Sequence, residues 1–417
     1  MKFFGVGTKK IRGWPDIKDH VRWKNISIWI HSKSLIWEGT IMPTLQDQLT
    51  INGMQLRNRV VLPPLTTNSG SPDGQVTDAV VQFYEERAKD VGLVIVEAAS
   101  VQADGRIVPG SLGLWEDGQV DGMARLADTI KKSGAAAVLQ INHAGARCFP
   151  AGGEMQGASP SGFAMRADVA PFPMSLKEID AMVSHFVAAA AGAAEAGFDG
   201  VEVHGAHVYL ISQFLSPLTN QRDDRYGGDA RGRATMALEV VKAVRERLGM
   251  NYPILFRLNI VEHVEGGQAL ADGLEVSRAL AEAGVDALDV SLVTQGFWQE
   301  QDGKRFLVPA SAFPKEQPPG ANIPFVAQVK ETTGLPVIGV GKLGNAMAAK
   351  SVEGSLMDLV AIGRQMIADP ESAGKILAGK ERDIIPCKEC MTCFASLRKG
   401  PMFCKVNRNL PWASNEV

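Results

Sequence analysis

Two imidazoles and a phenol lie within one short stretch of the sequence, at His204, His207 and Tyr209. Imidazole nitrogens can donate or accept hydrogen bonds and can also bind metals. If a helix begins at His204, the three-residue spacing places both rings on one side of it. The two rings could instead be satisfied polar residues of a loop. No carboxylate or third imidazole stands at a familiar zinc-enzyme spacing, so a metal is the weaker interpretation.

Four of the five cysteines form a second group near the end of the sequence, at Cys387, Cys390, Cys393 and Cys404. Their spacing is C-x2-C-x2-C-x10-C. Structural zinc usually binds two well-separated C-x2-C pairs, whereas three close thiolates and one remote thiolate are typical of a [4Fe–4S] cluster. A bound [4Fe–4S] cluster, an unoccupied relic and a zinc site all stay open. Cysteines concentrated in one part of a long chain indicate a reduced, cytoplasmic protein.

The overall composition excludes several classes of function. Of the 417 residues, 45% are hydrophobic, which is too many for a disordered chain. The net charge of −3 provides no general attraction to nucleic acid or anionic lipid. No uncharged apolar run reaches the length of about 20 residues that spans a membrane. We therefore predict a globular protein without a nucleic-acid partner and without membrane association.

Short β-branched apolar runs alternate with helical patterns from about residue 50 onward. The runs are 60–62, 93–96, 137–139, 200–203, 254–257, 287–290, 337–340 and 359–362. Near-continuous apolar runs fit strands that are buried on both faces of a parallel sheet. Eight strand–helix units predict an α/β fold of the (β/α)8 TIM-barrel type, and an open doubly wound sheet is the alternative.

Helix signals separate these runs. Ser175 and Glu178 form a capping-box pattern before an alanine-rich helix expected at about 176–197. A second helix is expected from about 230 to 248, before Gly249. A third is expected from Pro324 to Thr333, before a glycine.

Polar residues follow several of the predicted strands, where a TIM barrel places its active site. The cofactor-binding candidates are Pro64, Thr66, Gln140, Arg257, Gly341, Gly363 and Arg364. Glycines and a cation after the last two strands suit a phosphate held by backbone N–H groups. The amide, the hydroxyl and the other guanidinium suit a polar planar head group. Flavin mononucleotide (FMN) combines both parts, although single residues of this set could also be strand caps or turn glycines.

The stretch around His204 resembles the Old Yellow Enzyme family of FMN-dependent NAD(P)H:flavin oxidoreductases. Residues 197–217 read GFDGVEVHGAHVYLISQFLSP, and residues 220–228 read NQRDDRYGG. Residues 56–59, 143–147, 339–341 and 361–364 agree with the family as well, and the resemblance covers about residues 44–410. It implies a TIM barrel that binds FMN and takes electrons from NADH or NADPH.

The resemblance also implies a role for each candidate. Thr66 matches the hydroxyl that binds the flavin C4 carbonyl, and Gln140 matches the amide at the pyrimidine edge. Arg257 matches the cation near flavin N1 and O2. Gly341, Gly363 and Arg364 match the residues that bind the FMN phosphate. His204 and His207 match the donors to the substrate carbonyl oxygen, and Tyr209 matches the proton donor to the α-carbon.

These roles predict an ene-reductase, which reduces the activated C=C bond of an α,β-unsaturated carbonyl compound with NAD(P)H. The cysteine spacing favours an alternative: an iron–sulfur flavoprotein like dienoyl-CoA reductase or trimethylamine dehydrogenase, working with a separate redox partner. A catalytically silent flavin-binding module is a third hypothesis. Val208 departs from the family, where many members have glycine, and this puts the substrate range in doubt.

The chain divides by composition into three predicted parts. Residues 1–40 hold four of the seven tryptophans and eight Lys or Arg against three Asp or Glu. They lie outside the resemblance and form an N-terminal extension of unknown role. Residues 41–380 form the FMN-binding barrel, and residues 381–417 form a Cys-rich segment. The sequence leaves open a homo-oligomer, the physiological substrate and the choice between NADH and NADPH.

Overall fold

The computed structural model of the protein describes residues 42–149, 155–164, 169–293, 295–301, 304–310, 317–344 and 346–412. From Pro43 onward the chain forms one compact unit. The predicted extension at 1–40 lies outside the described residues, and so do residues 413–417 of the Cys-rich segment. The three-part division of the chain therefore stays a prediction.

Eight parallel strands close into a barrel at the centre of this unit. The strands of the described residues are β1 (Leu49–Ile51), β2 (Met54–Leu56), β3 (Val60–Leu62), β4 (Leu93–Ser100), β5 (Ala136–Asn142), β6 (Met155–Ser159), β7 (Val169–Pro173), β8 (Gly200–Gly205), β9 (Ile254–Glu262), β10 (Ala287–Val293), β11 (Gln295–Gln301), β12 (Lys304–Ala310), β13 (Val337–Val340) and β14 (Leu359–Ala361). The barrel runs in the order β3-β4-β5-β8-β9-β10-β13-β14, and β14 pairs with β3. All eight predicted runs are barrel strands. The predicted (β/α)8 fold is confirmed, and the open doubly wound sheet is excluded.

Helices connect the barrel strands. Those described are α1 (Asp78–Ala88), α2 (Val120–Lys132), α3 (Leu176–Glu195), α4 (Leu210–Leu215), α5 (Ala230–Arg233), α6 (Thr235–Leu248), α7 (Leu270–Glu282), α8 (Ile323–Thr333), α9 (Ala346–Glu353), α10 (Arg364–Ala368), α11 (Ser372–Leu377) and α12 (Thr392–Ser396). The Ser175 hydroxyl and the Glu178 carboxylate form the predicted capping box of α3. The single helix predicted at about 230–248 is two, because Ala234 separates the end of α5 from the start of α6. Within the described ranges, no helix is both long and apolar enough to cross a membrane.

A short hairpin closes the amino-terminal end of the barrel. Strands β1 and β2 pair antiparallel, and their Ile51, Met54 and Leu56 are buried in one cluster with the first residues of the barrel strands, such as Leu93 and Ala287. Burying large aliphatic side chains contributes roughly 1.5–3 kcal/mol each. This end is therefore a packed core, and ligands must enter from the other end.

The barrel interior changes from apolar to polar along the strands. Leu255 and Ala287 belong to the apolar cluster at the amino-terminal end. Two residues further along the same strands stand Arg257 and Asp289, which face each other in the register. Alternate residues of a strand share a face, so these polar side chains form the next layer. The polar layer lies on the side of the carboxyl ends.

Glu97 of β4 is a buried carboxyl group next to the loop that follows β3, and 1% of its surface is exposed. It accepts hydrogen bonds from the Thr67 backbone N–H at 2.8 Å and from the Thr67 hydroxyl at 2.7 Å. Burial raises the pKa of Glu97 to about 7, and the hydrogen bonds oppose this shift.

Replacing Glu97 with Gln should flatten the dependence of stability on pH. The wild-type pKa is higher in the folded state than the ordinary 4.5, so stability is full below pH 4.5 and falls as the pH rises towards 7. The loss is up to roughly 3 kcal/mol. Gln keeps both partners, because the Thr67 hydroxyl can accept from its amide. Urea unfolding between pH 4.5 and 8 measures this, and equal slopes in the two proteins would contradict it.

Candidate active site

The predicted site residues lie at or beyond the carboxyl ends of the barrel strands. Thr66 follows β3, Gln140 lies on β5, His204 ends β8 with Gly205, Arg257 lies on β9, Gly341 follows β13, and Gly363 and Arg364 follow β14. The strand register sets Gln140 opposite Glu202, and His204 opposite Arg257. The closed barrel thus brings residues that are far apart in sequence to one mouth.

The two imidazoles and the Tyr209 phenol pack against one another. The ring centroids of His204 and His207 are 5.1 Å apart, and those of His204 and Tyr209 are also 5.1 Å apart. No helix begins at His204: it belongs to β8, and α4 begins only after Tyr209. The helical argument for the two rings is therefore wrong. They adjoin because the chain turns at His207, where φ is 60°.

Hydrogen bonds join the imidazoles to each other and to a serine. His207 Nδ1 lies 3.3 Å from His204 Nε2, and His207 Nε2 lies 2.8 Å from Ser291 Oγ. Burial lowers the pKa of both imidazoles well below the ordinary value, and the charge of Arg257 lowers it further. Both rings are therefore neutral at physiological pH.

Sequence reasoning missed Ser291. It lies on β10 two residues after Asp289 and is 1% exposed. The alternation of the strand could have indicated it, because residues two apart face the same side. A serine among apolar residues carries little signal without the neighbouring strand.

Tyr209 keeps its proton. Its ring packs against His204, and the guanidinium carbon of Arg147 lies 5.3 Å from the ring centroid. Burial raises the pKa of the phenol, and the Arg147 charge opposes this shift. The Tyr209 hydroxyl bonds to no residue in the described ranges. A protonated phenol is thus available at the mouth of the barrel.

A buried cluster of charge lies next to the imidazoles. Arg257 Nε lies 3.3 Å from Asp289 Oδ2, and these side chains are 7% and 0% exposed. Gln140 Nε2 donates to Glu202 Oε1 at 2.7 Å. Burial raises the pKa of Glu202 well above its usual range, and the Asp289 charge raises it further. Burial also raises the pKa of Asp289, while Arg257 lowers it. The contact with Arg257 favours the ionised form of Asp289, and the strongly raised pKa of Glu202 favours its protonated form.

This cluster limits what the predicted cofactor residues can offer. The amide nitrogen of Gln140 is taken by Glu202, so its carbonyl oxygen is left for a ligand. The buried Nε of Arg257 faces Asp289. The terminal nitrogens of Arg257 donate to none of the described residues. They are the donors that Arg257 can present to a bound head group.

The loops after β3, β13 and β14 provide small and unpaired groups. Gly341 has φ 135°, a conformation that other residues rarely adopt. The backbone N–H groups of Gly363 and Arg364 donate to no described residue, and Pro64 and Thr66 keep part of their surface exposed. Free N–H groups beside a guanidinium suit a phosphate. The residues present therefore fit the phosphate and the head group of FMN.

The Cys-rich segment is fastened to these same loops. Lys342 Nζ lies 2.6 Å from Glu389 Oε2. Arg364 Nη1 lies 3.1 Å from Met391 Sδ. The backbone N–H of Cys387 donates to the Gln365 side chain at 3.0 Å. Arg364, predicted to bind phosphate, thus also faces the Cys-rich segment.

The four thiols do not form a ready metal site. Cys390 is exposed and bonds to the Thr392 hydroxyl. Burial raises the pKa of Cys393 to about 11, and the charges of Cys387 and Cys404 raise it as well. Among the described residues, no group of three or more His, Cys, Asp or Glu side chains is arranged to hold a metal ion. As arranged, the thiols do not fit a closed [4Fe–4S] site.

Comparison with known proteins identifies the family. Residues 45–383 match the NADH:flavin oxidoreductase / NADH oxidase family. The chain belongs to this family. Its membership confirms the predicted resemblance, the predicted FMN cofactor with NAD(P)H as electron donor, and the class of NAD(P)H-dependent flavin oxidoreductases.

Two relatives show different lengths. The chain is 36% identical over 358 residues to an NADH oxidase of Thermoanaerobacter brockii, covering 84% of this chain and 53% of that protein. It is 33% identical over 328 residues to an NADPH dehydrogenase of Bacillus subtilis (strain 168), covering 77% of this chain and 90% of that protein. The chain thus spans about half the length of the first of these relatives and most of the second.

Solved structures agree on the fold. A 2-naphthoyl-CoA reductase in complex with 2-naphthoyl-CoA superposes with a TM-score of 0.81 at 26% identity, over 88% of this chain and 57% of that chain. A morphinone reductase in complex with tetrahydroNAD superposes with a TM-score of 0.67 at 27% identity, over 81% of this chain and 91% of that chain.

Val208, the departure noted in the sequence of this family member, has a left-handed backbone. Its φ is 60°, which is strained for a β-branched residue. The side chain is 2% exposed and packs with Ala146, Phe163, Leu218 and Val264. Buried contacts therefore offset a backbone that glycine would adopt without strain.

Val208→Gly should be more stable than Val208→Ala. Both variants lose the packing, but only Ala keeps a Cβ in the left-handed conformation, which costs roughly 1–2 kcal/mol. The free energy of unfolding, measured with urea, should be about 1 kcal/mol higher for Val208→Gly than for Val208→Ala. The same pair at Val203, a buried position within β8, is the control and should show the usual order, with Ala above Gly. If the Ala variant were more stable than the Gly variant at both positions, backbone strain at Val208 would be disproved.

Proposed function

We propose that the chain is an ene-reductase, which uses NAD(P)H and FMN to reduce the activated C=C bond of α,β-unsaturated carbonyl compounds. One observation carries the proposal: two neutral imidazoles and a protonated phenol form a single contact group at the barrel mouth. Such a group can bind a carbonyl oxygen and deliver a proton to a neighbouring carbon. The structural neighbours named 2-naphthoyl-CoA reductase and morphinone reductase support a reductase.

The cofactor would be held by the loops of the barrel mouth. Gly341, Gly363 and Arg364 would bind its phosphate, while Thr66, Gln140 and Arg257 would face its ring system. When bound, FMN supplies the hydride chemistry between NAD(P)H and the β-carbon of the alkene. Arg257 would stabilise the negative charge of the reduced state, because its terminal nitrogens are not used by Asp289.

The imidazoles would act on the substrate oxygen. His204 and His207 would donate hydrogen bonds to the carbonyl, on which negative charge grows as the hydride arrives. Donors to that charge stabilise the transition state more than the neutral ground state, so they accelerate the reaction rather than only bind the substrate. Tyr209 would then give its proton to the α-carbon as a general acid.

Tyr209→Phe tests the proposal, because it should separate the two half-reactions. Reduction of the flavin by NAD(P)H needs no proton from Tyr209 and should be nearly unchanged. Reoxidation by a simple enone should slow by roughly 10²–10⁴-fold, the usual contribution of a positioned general acid. A nitroalkene should be affected less, because its nitronate product is stable enough to take a proton from water. Stopped-flow absorbance measures both half-reactions.

Tyr252→Phe is the matched control. The Tyr252 hydroxyl donates to the Phe198 carbonyl at 3.1 Å, before β9 and away from the mouth. This variant should leave both half-reactions unchanged. Equal slowing of both half-reactions in Tyr209→Phe, or of neither, would refute the proton-donor role. A wild-type protein that reduces no alkene would instead support the catalytically silent module.

The second candidate, an iron–sulfur flavoprotein with a separate redox partner, is favoured by the sulfur contacts. The backbone N–H groups of Val406 and Asn407 both lie 3.4 Å from Cys404 Sγ, and that of Glu389 lies 3.4 Å from Cys387 Sγ. Such N–H groups stabilise thiolate ligands. The described arrangement is nevertheless open, so binding would require the segment to close around the cluster.

Metal analysis of anaerobically purified protein decides between the two candidates. The iron–sulfur candidate requires about four iron and four sulfide per chain, and Cys393→Ser should abolish both while Cys148→Ser, outside the segment, should not. Flavin without iron supports the ene-reductase alone. A homo-oligomer and a cytoplasmic location stay predictions.

A further inference from the structure

The hydrogen-bond chain through the imidazoles has a defined direction. The backbone N–H of Ala206 lies 3.3 Å from His204 Nδ1. A backbone N–H can only donate, so Nδ1 of His204 accepts and carries no hydrogen. Because the ring is neutral, its hydrogen is on Nε2.

This direction continues to Ser291. His204 Nε2–H faces His207 Nδ1 at 3.3 Å, so Nδ1 of His207 must accept. The neutral ring of His207 then carries its hydrogen on Nε2, which lies 2.8 Å from Ser291 Oγ. Ser291 is therefore the acceptor at the end of the chain. Both imidazole N–H groups are already used.

The backbone around His207 is held on both sides. Its N–H donates to the Asn259 side chain at 3.2 Å, and its carbonyl accepts from Arg147 at 2.8 Å. The Asn259 amide in turn donates to the Ser212 hydroxyl at 3.2 Å. With the backbone fixed, the imidazole can change partners only by turning about its side-chain bonds.

We infer that Ser291 is a positioning residue, which holds the Nε2–H of His207 away from the substrate oxygen until a stronger acceptor displaces it. The inference rests on the proposed function, in which His207 donates to that oxygen. A serine hydroxyl is a neutral acceptor, whereas an enolate oxygen is charged and accepts roughly twice as strongly. The exchange from Ser291 to the substrate therefore becomes favourable as charge develops.

This arrangement makes the second donor selective. A neutral carbonyl gains little by exchanging one neutral acceptor for another, so the ground state gains little from the His207 N–H. The oxyanion of the transition state gains the full strength of the His207 bond. Ser291 thus shifts binding energy from the ground state to the transition state.

The first test needs no variant. Nitrogen-15 NMR of the holoenzyme with labelled histidine should show His207 protonated on Nε2, with Nδ1 unprotonated. Ionised 4-nitrophenol, a phenolate that mimics the enolate oxygen, should shift the Nε2 signal. The opposite tautomer would overturn the inference, whatever the fate of the proposed function.

Ser291→Ala supplies the second test. The phenolate no longer has to displace Ser291, so its Kd in calorimetry should fall by roughly three- to tenfold, the net value of one hydrogen bond. Ser291→Thr keeps the hydroxyl and should restore the wild-type Kd. In a His207→Ala background, Ser291→Ala should have no effect, because Ser291 acts through His207.

The outcomes separate the two claims. An unchanged or weaker phenolate affinity in Ser291→Ala, or an equal change in the His207→Ala background, would overturn the role of Ser291. A phenolate that binds to none of these proteins would contradict the proposed function instead, and the tautomer of His207 would then decide the inference alone.

Discussion

A guanidinium inside a barrel needs a carboxylate beside it, and the mouth of this barrel is arranged around that requirement. Arg257 is 6% exposed, and an unpaired charge at such a depth costs several kcal/mol. Asp289 on the adjacent strand supplies the partner. A third buried group, Glu202, would add a second negative charge, but its raised pKa keeps it protonated. The polar layer thus carries one pair of opposite charges in the buried interior of the barrel.

The same positive charge adds to the effect of burial on the imidazoles. His204 lies opposite Arg257 in the strand register. Burial lowers the pKa of both histidines, and the nearby cation lowers it further, so both rings are neutral. Neutral rings have one N–H each, so the backbone N–H of Ala206 is enough to orient the whole chain as far as Ser291. Removing the charge of Arg257 would therefore change the protonation of neighbouring side chains as well as the contact with the cofactor.

The sequence was a good guide to the barrel and a partial guide to the site. Parallel strands buried on both faces must be apolar runs, so all eight were visible, and their carboxyl ends located the polar residues. Side-chain partners depend on which strands are adjacent and in what register. Hence neither the link from Gln140 to Glu202 nor that from His207 to Ser291 could be read from spacing. The turn at His207 was missed because valine at position 208 gives no signal of a positive φ.

The Cys-rich segment is coupled to the cofactor loops, whatever its thiols bind. The composition changes near residue 380, yet hydrogen bonds cross that point: Asn68 donates to the carbonyls of Leu397 and Gly400, and the Met402 N–H donates to the Thr67 carbonyl. The loop after β3, which carries Thr66, is therefore held by Glu97 of the barrel on one side and by the Cys-rich segment on the other. A ligand that drew the thiols together would pull on the loops after β3, β13 and β14 at once. Cofactor affinity should consequently report on the state of the cysteines even if no electron ever passes between the two sites.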